Sequence, residues 1–205
     1  VMVLFRTFAD PNDAADMRAA HALQDAIRVE QQRTGELAVP DWDETSLAVV
    51  RQALNVLAAT KADASSMFGD RSKLNPVDHL LGTAYGWGGN PKEAAVYQNG
   101  VPVANDGATP HVLRVRDVPV DGFWSITVYN AKGFMEPNPL NAYSINDVTA
   151  ARDSEGSVTV HFGGDPKAPN YLPITPGWNY VVRMYRPRPA VIDGSWRFPE
   201  AEAVR

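Results

Sequence analysis

Two hydrophobic periodicities divide the chain, and they meet near Asn75. Upstream, apolar residues recur at three- and four-residue steps: Met17, Ala20, Leu23 and Ile27 in one stretch, then Leu47, Val50, Leu54, Leu57 and Ala58 in the next. Such spacing lines one face of a helix. The first helix is expected to open on Asp10 as N-cap, with Pro11 at the first helical position and Asp13 in the first turn, and to run until Gly35, its stripe packed on another element. The second is expected at about Glu44 to Lys61 with Asp43 as its cap. A third, short helix starts at Asn75-Pro76 and carries His79, Leu80 and Leu81 until the glycines of "GTAYGWGGNP" stop it.

From Glu93 onward the period is two. "HVLRVR", "FWSITVYN" and "SVTVHF" alternate, and "NYVVRMY" is a longer apolar run with one arginine inside it. Each is bounded by turn formers, in "PVDG", "NAKG", "DSEG" and "GGDPKAPN". Short strands so spaced predict a mainly β fold with N-terminal helices, an antiparallel β-sandwich of jelly-roll kind. Residues 1–75 are then a helical segment packing on the sandwich, and residues 76–205 the sandwich domain. "EPNPLN" cannot continue a central strand, because Pro137 and Pro139 have no N–H to donate. It is expected to be a rigid, extended crossover from one sheet to the other, with its asparagines satisfying the backbone groups that the prolines leave unpaired.

Composition narrows the chemistry. The 205 residues include no cysteine, which removes disulfides, thiolate metal sites and cysteine nucleophiles. A net charge of -5 and a pI near 5.3 argue against a nucleic-acid partner, whose phosphates demand an excess of Lys and Arg. No apolar run approaches the roughly 20 residues of a membrane span, and "VMVLFRTFAD" is too short for the core of a signal peptide with its flanks. The chain starts with Val1 inside an apolar run, so a processed or trimmed part of something longer is expected.

The four histidines, His21, His79, His111 and His161, lie far apart and show no ligand spacing, so neither a metal nor another cofactor is expected. Among loop-side acids, Glu93, Glu136, Asp147, Asp165 and Asp193 have no distinguishing neighbours; turn formation explains them best. No G-x-S-x-G elbow occurs, and "YGWGGNP" lacks the ending of a phosphate loop, reading instead as a turn against which Trp87 packs. Strand parity is more informative. Arg114 and Arg116 share one side of a strand; Ser125, Thr127 and Tyr129 share one side of the next; Thr159 pairs with His161, and Arg183 with Tyr185. Were these sides to coincide, Arg114, Arg116, Thr127, Tyr129, His161, Arg183 and Tyr185 would form one ligand-binding surface, against the plainer reading of a wet sheet face. Trp87, Trp124, Trp178, Tyr180 and Trp196 are best read as buried anchors.

The runs "GFWSITVYNAKGFMEPNPLNAYSIND" and "NYLPITPGWNYVVRMYRPRPAVIDGSWRFP", with "YGWGGNPKEAAVYQ" and "FRTFADPNDAADMRAAHALQDAI", resemble the bacterial domain-of-unknown-function family 1214, which commonly follows a second uncharacterised domain, family 1254. The resemblance implies an antiparallel jelly-roll-like sandwich with helical elements and an extracytoplasmic setting, periplasmic or secreted. It brings no reaction or catalytic residue. The chain departs from the usual family form in lacking most of the preceding domain and in a shorter "GGDPKAPN" loop.

Two functions fit these residues. One is a non-catalytic binding or assembly module for a partner domain, a second subunit, a glycan or another small polar ligand. The alternative is a hydrolase on a carbohydrate or another small polar substrate, with Glu136 and Asp193 as acid and base and Arg183 as an anion clamp. The first is preferred, because no converging groups of matched pKa are visible in the sequence.

Overall fold

A carboxylate decides where the first helix begins. In the computed structural model, which describes residues 3–10, 13–36, 38–61, 64, 66–86 and 88–204, helix α1 spans Ala14–Asp25 and is capped by Asp13. The Asp13 carboxylate accepts from the N–H of Ala15 at 2.7 Å and of Asp16 at 3.3 Å. Asp10, the expected cap, stands one turn earlier; its carbonyl accepts from Asp13 N and its own N–H donates to the Asp16 carboxylate. Pro11, expected at the first helical position, lies outside the described residues. The helix also stops well short of Gly35. Arg28 donates to the carbonyls of Asp25 and Ile27 at its end. Only Ala20 is buried in α1, while Leu23 and Ile27 are exposed. Without packing along the expected stripe, nothing sustains a longer helix.

The chain comprises two compact units, Val1–Trp42 and Asp43–Arg205. The first contains α1. The second contains helices α2 (Glu44–Ala58) and α3 (Pro76–Gly86), then strands β1 (Ala95–Gly100), β2 (His111–Val115), β3 (Trp124–Tyr129), β4 (Ser144–Asn146), β5 (Val158–Phe162), β6 (Tyr171–Leu172) and β7 (Asn179–Tyr185), a short α4 (Pro189–Ile192), and β8 (Glu202–Ala203). Helix α2 has its expected cap, since Asp43 accepts from Ser46 N at 2.7 Å. Asn75 caps α3 by accepting from Val77 N and Asp78 N. These two helices close a small core of Ala58, Met67 and Leu81, with Leu54 and Phe68 packed against it. Asp78 fastens it: its carboxylate pairs with Lys61 at 2.6 Å and accepts from Ser66 Oγ at 3.1 Å. The Lys61 contact, ahead of Ser66, holds the Asp78 carboxyl below the usual carboxylate range.

The strands form two four-stranded sheets: sheet A in the order β1-β7-β3-β4 and sheet B in the order β6-β5-β2-β8. All pairs are antiparallel except β5 with β6. The four strands read from alternation are β2, β3, β5 and β7. Their inward residues explain the pattern, because one core takes Trp124, Ile126, Val182 and Met184 from sheet A together with Leu113, Val158, Val160 and Phe162 from sheet B. Trp178 and Tyr180 stack near Phe162 at ring-centroid distances of 5.1 and 5.3 Å. Trp124, Trp178 and Tyr180 are buried and Trp196 half-buried, as anchors should be; Trp87 lies outside the described residues.

The proline-rich segment does not change sheets. It leaves β3 and returns to β4, which pairs with β3 itself (Ser125 opposite Asn146, Thr127 opposite Ser144). The prolines forbid strand structure but leave the destination open. Within the segment, Asn138 holds backbone groups as expected, and Asn130 does the same just ahead of it. Asn138 Oδ1 accepts from Leu140 N and Ala142 N while Nδ2 donates to the carbonyls of Glu136 and Ala142. Asn130 Oδ1 accepts from Lys132 N and Phe134 N.

Candidate functional site

Strand parity turns one set of β3 and β7 side chains away from the shared core. The pairing places Tyr97, Arg183, Ser125 and Asn146 in one row across the outer face of sheet A, and Asn99, Val181, Thr127 and Ser144 in the next. Arg183 is half-buried at the centre of this face. Its Nη1 donates to Thr127 Oγ1 at 3.0 Å and its Nη2 to the Tyr129 hydroxyl at 2.6 Å, with the guanidinium carbon 5.9 Å from the Tyr129 ring centroid. Thr127 is itself buried. Among the described residues, no carboxylate pairs with Arg183. Toward the β1 edge, Asn90 Nδ2 donates to the Tyr97 hydroxyl at 2.7 Å and Asn99 Nδ2 to that of Tyr85 at 3.3 Å.

The structure thus brings together three of the residues expected at a ligand surface: Thr127, Tyr129 and Arg183. Tyr185 is on the same side of β7 but is stacked on Phe123, with centroids 4.5 Å apart. Of the others, Arg114 and His161 belong to sheet B. Arg114 and Thr159 are register partners there, as are Val112 and His161. Arg114 differs from Arg183 in its neighbours, for it is paired with Asp153 at 2.7 Å and Glu155 at 3.0 Å and donates to Ser157 Oγ. Asp153 stays below the usual carboxylate range chiefly through the Ser157 N–H, with help from Glu155 N–H and Arg114. Arg116, just past the end of β2, is exposed and pairs with the adjacent Asp117 at 3.1 Å. His161 Nδ1 is 2.8 Å from the Pro169 carbonyl, a contact that fixes the ring against its own loop.

Glu136 lines a cavity of about 90 Å³ with Tyr129, Asn130, Pro137, Asn138 and Tyr143. Its Oε2 accepts from Asn130 Nδ2 at 2.7 Å. Asp193 is not in that lining; it follows α4 and accepts from Ser195 N at 2.9 Å, which lowers its pKa. A carboxyl so held stays ionised, the wrong direction for a proton donor. No group of three or more His, Asp or Glu suited to a metal is found among the described residues.

Tyr97 escaped the sequence reading because β1, "AVYQNG", carries only a faint alternation. Its signal was the tyrosine and asparagine two residues apart, which parity puts on one side.

Residues 94–189 match the family model described as protein of unknown function (DUF1214), the stretch that holds the outer face of sheet A. No curated protein matches the chain. Among solved structures, the chain is similar to the VPA0106 protein from Vibrio parahaemolyticus, with a TM-score of 0.62 and 26% identity, covering 100% of this chain and 59% of that one. It is also similar to an uncharacterised protein from Burkholderia cenocepacia, with a TM-score of 0.43 and 19% identity, covering 62% of this chain and 33% of that one. The chain therefore spans less than two thirds of the length of either.

Proposed function

We propose that the chain is a non-catalytic binding module that meets its ligand on the outer face of sheet A. One observation carries this reading: a half-buried guanidinium held by two hydroxyls and, among the described residues, by no carboxylate. Arg183 contrasts in this with Arg114, which is paired with two acids. The tool for catalysis is not assembled beside it, for Glu136 and Asp193 do not share a cavity lining. The two sheets with one core support the sandwich of jelly-roll kind as the scaffold of this face. The polar rows suit a glycan or another small polar ligand, whereas the exposed Leu47, Val50 and Leu57 of α2 suit a protein partner such as an adjoining domain or second subunit. A metabolite and glycan screen on the wild type and on Arg183→Ala tests the proposal. Binding that depends on Arg183 supports it, and binding that is indifferent to the substitution removes its basis.

The hydrolase reading has one observation in its favour, the cavity that puts Glu136 beside Tyr129, whose hydroxyl contacts Arg183. An activity panel on glycosides and esters, repeated with Glu136→Gln, decides it. Turnover lost in the variant would establish the hydrolase in place of the binding module.

A further inference from the structure

The hydrogen-bond directions around Arg183 define the ligand more narrowly, given that the outer face of sheet A binds one. A guanidinium has five N–H donors and no acceptor. Thr127 Oγ1 and the Tyr129 hydroxyl must therefore both accept from it, at 3.0 and 2.6 Å. Each hydroxyl keeps its own proton for another acceptor, and three guanidinium N–H groups remain beyond the two so used. The neighbouring row position is Tyr97, whose hydroxyl accepts from Asn90 Nδ2 and likewise has its proton to give. The centre of this face thus presents donors around one positive charge, with the nearby Glu136 carboxylate, in the cavity beside Tyr129, held by Asn130 Nδ2. It is complementary to an acceptor that carries a single negative charge.

We infer that Arg183, Thr127 and Tyr129 form a receptor for one carboxylate on a hydroxylated ligand, the chemistry of a uronic-acid sugar. One guanidinium, with no second cation in its contacts among the described residues, balances a monoanion, and its planar fork fits the two oxygens of a carboxylate. A dianionic phosphate would meet a chain with a net charge of -5 and only one compensating group. The rest of the face suits sugar hydroxyls, since Ser125, Ser144 and Asn99 flank the arginine in its own and the next row. The Tyr97 ring offers an edge for the pyranose.

The test is an NMR titration of the full chain, following the Arg183 Nε–Hε resonance, with glucuronate, glucose, acetate and inorganic phosphate as separate probes. Glucuronate should shift the resonance and saturate, acetate should compete with it more weakly, and glucose should leave it unmoved. Read by calorimetric titration, which needs no arginine resonance, Arg183→Met should weaken glucuronate binding roughly tenfold or more, the scale of a lost charge-assisted pair. Arg183→Lys should recover only part of it, because the charge is kept and the fork is lost. Tyr129→Phe removes one hydroxyl and should weaken binding while the far-ultraviolet circular dichroism stays native, which separates a lost contact from a lost fold. A response to phosphate or glucose without one to glucuronate would overturn the carboxylate while leaving the binding module standing. Silence of Arg183 toward all four probes would overturn the carboxylate receptor, and the screen on Arg183→Ala would then decide the binding module by itself.

Discussion

The side chain of Gln98 is paired twice with the backbone of Phe198: its Nε2 donates to the Phe198 carbonyl at 2.8 Å and its Oε1 accepts from the Phe198 N–H at 3.1 Å. One carboxamide thus does the work of a strand partner for the C-terminal segment, whose Phe198 ring is buried against Trp124 and Trp196. Gln98→Ala leaves both backbone groups of Phe198 without that partner. It should cost about 1–3 kcal/mol of folding stability, measurable by urea unfolding, and a midpoint equal to wild type would show the bracket to be idle.

Tyr180 lies across Gly100, its register partner. A Cβ on Gly100 would stand 2.0 Å from the Tyr180 ring, which is stacked in the core and whose hydroxyl accepts from Ala201 N at 3.0 Å. Gly100→Ala should therefore destabilise by about 1–3 kcal/mol through overpacking. Gly86→Ala meets nothing within 4 Å and should be close to neutral when the two variants are compared by thermal melting.

Asp106 is held by three donors: the N–H groups of Thr109 and Ala108 and the Thr109 hydroxyl. The Thr109 N–H leads in lowering its pKa from 3.8 to about 2. A carboxyl depressed in the folded state favours folding above its unfolded value, and that contribution disappears as the pH falls from about 4 toward about 2. A carbon-detected NMR titration should find the Asp106 midpoint near 2, and Asp106→Asn should flatten the stability profile within that window. A midpoint at the ordinary carboxylate value would dismiss the loop clasp as a source of acid sensitivity.

The two faces of the helical pair should respond oppositely to substitution. Leu81 is buried against Ala58 and Met67, so Leu81→Ala should cost about 2–5 kcal/mol. Val49 and Val56 of α2 are exposed, 62% and 64%; lysine at either should change stability by no more than about 0.5 kcal/mol. Light scattering on those lysine variants also reads out self-association: a fall from dimer to monomer would identify the helix surface as a subunit contact.

Much of the fold was legible because alternation reports burial on one side of a strand. Val158, Val160 and Phe162, or Val182 and Met184, point inward and their neighbours do not. Strand β1 was not legible for the same reason in reverse. Its inward Gln98 and Gly100 are accommodated by a backbone bracket from Phe198 and by the Tyr180 ring, partners that are remote in sequence. The first helix was overextended because Ile27 continued a stripe that the structure leaves unburied. Parity put Thr127, Tyr129 and Arg183 on one face, where they meet, since the period of two is local. It gave no means of knowing that Arg114 and His161 sit in the other sheet, because which strands pair depends on the whole chain.

The excursion between β3 and β4 begins and ends on adjacent antiparallel strands. Its ends are therefore already neighbours, and a short turn in its place would leave every other strand with the same companions. That makes the segment an exchangeable rim beside Tyr129 rather than a girder, so length and residue changes there can reshape the surroundings of Tyr129 while the sheets beneath keep their order.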